Sequence, residues 1–89
     1  MNVAFFPYRK DYSYIIRMLN SDPRLHIVAG VIPNGFSSET SSELSIPVYG
    51  KVQDVFEIVD TVIFFPIDNR AYLIKIVEET LLNHKNAIC

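Results

Sequence analysis

Three near-continuous apolar runs mark out the chain: NVAFFP (Asn2–Pro7), LHIVAGVI (Leu25–Ile32) and TVIFFP (Thr61–Pro66). None alternates polar with apolar positions. Each is short, rich in β-branched or aromatic residues and bounded by turn formers, the pattern of a strand buried on both faces. Between the first two runs the period changes. Tyr12, Ile15, Ile16 and Leu19 stand at helical spacing, with Asp11 or Ser13 available as cap. Asn20-Ser21-Asp22-Pro23 then stops the helix, because proline disfavours helical geometry in the residue before it.

Pro33–Ser45 (PNGFSSETSSELS) is a serine-rich connection, longer than most loops of a compact domain and therefore expected to be mobile or functional. Ile46–Tyr49 predicts a short strand, and Val52, Val55, Phe56 and Val59 a short helical segment. After the third run, Asp68 or Asn69 can cap a long helix whose predicted apolar face is Leu73, Ile76, Val77, Thr80 and Leu81. Its last turn would carry His84 and Lys85, where the helix dipole favours cations. NAIC (Asn86–Cys89) has the look of another strand opening.

Strands alternating with helices, and strands without in–out alternation, imply an α/β fold with a parallel sheet covered on both faces. Right-handed crossovers leave few topologies. The expected architecture is a Rossmann-like doubly wound parallel sheet of four to five strands, order 3-2-1-4-5. In that order the two V-x-F-F-P segments, at Val3 and Val62, lie side by side and end together at the carboxyl rim. Proline, with no N–H to donate, is tolerated where the ladder stops. Residues 1–89 form a single domain. Because the fifth strand barely begins, the domain is expected to be an N-terminal fragment of a longer chain; the alternative is a complete small protein with a short edge strand.

Composition narrows the function classes. A formal net charge of −2 over 89 residues argues against a nucleic-acid partner. No apolar run approaches the roughly 20 residues of a membrane span, and no basic segment followed by an apolar core opens the chain. A lone cysteine, Cys89, cannot form an internal disulfide, which fits a reducing, cytoplasmic setting.

Ligands of open α/β sheets sit beyond the carboxyl ends of the strands, at the switch point. The residues expected there are Tyr8, Arg9 and Lys10 after the first strand, Pro33 and Asn34 after the second, and Ile67, Asp68, Asn69 and Arg70 after the fourth. Arg9, Lys10 and Arg70 would supply charge to a phosphate or carboxylate, Asp68 and Asn69 would read hydroxyls or cap the helix, and Tyr8 would stack. The competing reading makes Arg9 and Lys10 solvated turn residues paired with Asp11 or Asp68.

No cofactor is predicted. Ordinary NAD or FAD binding needs a glycine-rich first turn, and PYRKDYS contains none. A P-loop is absent, and a phosphorelay receiver would need acidic residues where Tyr8-Arg9-Lys10 and Tyr49-Gly50 stand. His26 and His84 have no Cys or acidic companion at ligand spacing, so no metal site is expected. His26 is expected to be a hydrogen-bonded core residue and Cys89 a small apolar strand residue. Phe5, Phe6, Phe64 and Phe65 are expected in the core, on opposite faces of the sheet.

LHIVAGVIPNG, IPVYGKVQDVFE and DTVIFFPIDNRAYLIKIVEETL together resemble the N-terminal Rossmann-like domains of nucleotide-sugar acyltransferases and of the family related to D-glutamate N-acetyltransferases. The FFPY opening also resembles proteins accompanying radical-enzyme peptide maturation systems in clostridia. The acyltransferases place glycines in the first turn and this chain does not. What the resemblance implies is the fold and an accessory N-terminal role, with no catalytic residue. The expected function is a non-catalytic domain that binds a small anionic ligand or a partner domain, the remainder of its own chain included. The alternatives are an interaction module, homodimeric among the options, and part of an enzyme whose catalytic residues lie elsewhere.

Overall fold

A computed structural model of the chain describes residues 1–9, 13–33 and 46–89. The order of elements is β1 (Asn2–Phe6), α1 (Ser13–Asn20), β2 (His26–Val31), β3 (Val48–Tyr49), a 3-10 helix (Val52–Val55), β4 (Thr61–Phe64), α2 (Arg70–Leu82) and β5 (Asn86–Ile88). The five strands form one sheet in the order β3-β2-β1-β4-β5, with every pairing parallel. This is the doubly wound order expected from the alternation of elements.

The three apolar runs lie at or next to the centre of the sheet, where both faces must be covered. On one face Val3, Phe5, Tyr8 and Ile27 pack with Ile16 of α1. On the other, Ala4, Phe6, Ala29, Val31, Val62 and Phe64 pack with Val52, Val55, Phe56 and Val59 around the 3-10 helix and with Ile76 of α2. The four phenylalanines divide as expected. Phe5 meets Phe65 edge to face at 5.3 Å, and Phe6 lies 5.6 Å from Phe64 in the opposite layer.

A bulge opens in β2: Val3 pairs with Ile27 but Ala4 with Ala29. Val28 is the extra residue, and both it and Ala29 contribute to the α2-side layer. At the amino rim Asp60 joins three strands. Its carboxylate accepts the Asn2 N–H at 2.9 Å, its N–H donates to the Asn2 carbonyl, and its carbonyl accepts from the Asn86 N–H.

Several local expectations are corrected. His26 is exposed at the start of β2, because the strand begins there at the amino rim and only Ile27 onward enters the sheet's interior. Cys89 is exposed, one residue past β5. Leu81 is not on the packed face of α2; Ile76 and Thr80 are buried there, while Leu81 is turned outward. His84 and Lys85 lie beyond the last helical turn. Asn83 caps the helix, His84 takes a left-handed conformation with φ of 62°, and its N–H donates to Leu81 while that of Lys85 reaches back to Thr80. That pair of bonds is a Schellman closure, which satisfies carbonyls that the helix end leaves open.

Candidate functional site

The carboxyl rim is built by the two neighbouring V-x-F-F-P segments. Phe6 pairs with Phe64, and the Phe65 N–H still donates to the Phe6 carbonyl at 2.8 Å, so Pro7 and Pro66 follow at the same rim. The Phe6–Pro7 peptide is cis. From here the two segments diverge.

After Pro7 the chain turns in toward β2. The Tyr8 N–H donates to the Val31 carbonyl at 2.7 Å, and its side chain lies against Gly30, where a Cβ would come within 2.8 Å of three Tyr8 atoms. Tyr8 is only 2% exposed, and its hydroxyl is buried without a hydrogen-bond partner among the described residues. The stacking role expected of Tyr8 is therefore corrected: the ring is part of the α1-side core and offers no open face. Arg9, the next residue, is exposed.

After Pro66 the chain runs out to the N-terminus of α2. Asp68, Asn69 and Arg70 are exposed. Asn69 is the N-cap, its side-chain oxygen accepting the Tyr72 N–H at 3.0 Å. Of the two cap candidates it is the one used, and that oxygen is already engaged. Lys10 and Asn34 lie outside the described residues. The rim thus brings Arg9, Asp68, Asn69 and Arg70 onto neighbouring segments and withdraws Tyr8 from them.

Among the described residues no group of three His, Cys, Asp or Glu side chains is placed to hold a metal ion. Among the described residues one carboxylate is held well below its ordinary range, and it lies away from this rim: Asp22, in the α1–β2 turn, accepts hydrogen bonds from the Arg24 guanidinium and backbone N–H.

A second surface, on α2, is not singled out by the helix's apolar spacing. On α2, Ala71, Ile74, Lys75, Glu78, Leu81 and Leu82 are all exposed, with Ile74 at 58%, Leu81 at 55% and Leu82 at 78%. The available signal was that apolar residues run all round this helix, which in a half-buried helix leaves some facing out. Among the described residues no helix is long and apolar enough to cross a membrane. Comparison with protein-family models, with curated proteins and with solved structures finds no match.

Proposed function

We propose that the chain is a non-catalytic, Rossmann-like binding module of a cytoplasmic protein, and that it works through contact with another protein surface. The observation that carries this reading is the outward face of α2. A helix lying on a sheet normally turns charged and polar residues to water. Here Ile74, Leu81 and Leu82 take those positions over two turns, each more than half exposed. Single exposed apolar residues are ordinary, but several on one face form the kind of patch that marks a protein contact.

The test is a photo-crosslinking side chain placed at Leu82 in the producing cell, with a second at Lys51, which is exposed beside the 3-10 helix. A discrete adduct at position 82, absent at position 51 and lost when Ile74→Glu is added, is the expected result. No adduct of any mass at position 82 overturns the reading.

A second reading is favoured by the rim. Arg9 and Arg70 follow neighbouring parallel strands, both exposed, with the first turn of α2 beside them. Cations near free helix N–H groups suit a small phosphate- or carboxylate-bearing ligand. Inorganic phosphate would then raise the melting temperature, and Arg70→Ala would abolish the rise; an unchanged melt of the wild-type chain disposes of this second reading.

A further inference from the structure

We propose that the surface meeting the outward face of α2 is the same face of a second copy of this chain, packed antiparallel about a two-fold axis midway between Lys75 and Glu78. The proposal rests on the reading of α2 as a contact surface and names its occupant.

A two-fold interface must be complementary to itself when one copy is reversed. The exposed face of α2 passes that requirement in one register. Its central charges are a cation, Lys75, and an anion, Glu78, three residues apart; Arg70, exposed at the first helical position, falls opposite the uncharged Asn83 when one copy is reversed about the Lys75–Glu78 midpoint. Among the described residues neither Lys75 nor Glu78 is held in an ion pair or a side-chain hydrogen bond. Reversal about the midpoint sets each Lys75 opposite the other copy's Glu78. The same operation sets Leu82 opposite Ala71, the smallest residue of the face, which leaves room for a leucine. Ile74 falls two positions from the other copy's Leu81, about 3 Å along the axis at 1.5 Å rise per residue, and on the same flank. Every large apolar residue of the stripe is then covered.

Two other arrangements fail on charge. A parallel pair sets Lys75 against Lys75 and Glu78 against Glu78. An antiparallel pair centred on Glu78 brings the two carboxylates together. Like charges on facing helices are destabilising, whereas opposite ones set partner choice and orientation. The flanking Glu79 does not disturb the pattern, since it accepts a hydrogen bond from the Gln53 amide on its own subunit.

At 13 residues, α2 offers a face well below the ~800 Å² per partner of a standard stable interface. The dimer should therefore be reversible and concentration-dependent.

Sedimentation equilibrium from about 10 μM to about 1 mM spans the range in which so small an interface changes occupancy. The wild-type mass is expected to rise from 10.2 kDa toward twice that value. Lys75→Glu and Glu78→Lys should each weaken self-association at least tenfold. Mixed together, the two single variants should form a heterodimer, because one copy then carries two acids and the other two lysines across the same register. Rescue by mixing also shows that neither variant has failed to fold. A wild-type chain that stays monomeric throughout overturns the proposal, as does a dimer indifferent to the single reversals or not recovered by mixing. A Leu82 crosslink of a mass other than two copies, with the purified chain monomeric, overturns the second copy as occupant and leaves the contact-module reading standing.

Discussion

Tyr8 lies on Gly30 so closely that a Cβ at position 30 would come within 2.8 Å of the Tyr8 Cβ, Cγ and Cδ2 atoms. The Cβ and Cγ are close to the backbone and cannot swing clear as a flexible tip could. Gly30→Ala should therefore destabilise the domain by about 1–3 kcal/mol, the usual cost of overpacking a core. Gly50 is the control: an added Cβ meets nothing within 4 Å, so Gly50→Ala should be neutral or stabilise by roughly 0.5 kcal/mol through the unfolded chain. Urea unfolding of the two variants checks both, and equal effects would contradict the packing account.

The Tyr8 hydroxyl makes a second prediction. It is buried and no described group bonds to it. Burying a hydroxyl that no protein group bonds to carries a desolvation cost. Tyr8→Phe keeps the ring and removes that penalty, so the midpoint should rise, by about 1 kcal/mol in stability. A drop of similar size would reveal a bond to the hydroxyl.

Ile74 and Ile76 are two positions apart on α2 and face opposite ways, at 58% and 6% exposure. Ile76→Ala opens a cavity beside the sheet and should cost about 2–5 kcal/mol. Ile74→Ala, measured at low micromolar concentration where copies are separate, should stay within about 0.5 kcal/mol of wild type. Denaturation curves of the pair distinguish a helix seated as described from one rotated on the sheet.

The two ends of α2 respond in opposite senses. Asn69→Ala removes the oxygen that accepts the Tyr72 N–H, and should cost about 1 kcal/mol. His84→Gly places at φ of 62° the residue that adopts it without a Cβ penalty, and should stabilise by about 0.5–1 kcal/mol. Thermal melts of both variants provide the comparison.

Among the described residues, Asp22 is a carboxylate whose acidity the fold shifts. The Arg24 guanidinium first, and then the Arg24 backbone N–H, hold its carboxyl at about 2, below the ordinary 3.8. A folded value below the unfolded one stabilises the fold above pH 3.8, and that contribution disappears as pH falls toward 2. Carboxyl-carbon NMR should therefore find Asp22 ionised at pH 3. Arg24→Ala should move the titration only part of the way back, because the backbone N–H remains.

Much of this protein was legible in its order of residues. Runs such as VAFFP and TVIFF have no polar alternation, so each must be covered on both faces. Strands of that kind alternating with helices leave a doubly wound parallel sheet as the economical solution. The adjacency of the two V-x-F-F-P segments and the placing of their phenylalanines on opposite faces follow from that pattern; the register, with Phe6 beside Phe64 and so one residue off the motif's echo, and the choice of Asn69 over Asp68 as cap do not.

Tyr8 and Leu81 were decided only by tertiary structure, because what each does depends on atoms outside its own segment. Tyr8 turns inward because Gly30, on the neighbouring strand, has no side chain to keep it out. Leu81 belongs by spacing to an apolar helix, but periodicity gives a helix its candidate faces and the sheet chooses among them; Ile76 and Thr80 were taken. His84 is placed past the helix by a local closure, its own N–H bonding to the Leu81 carbonyl and that of Lys85 to Thr80, which no charge pattern announces. Local spacing determines which segments become strands and helices; which side chain fills a space and which is left outside is settled when the layers close on one another.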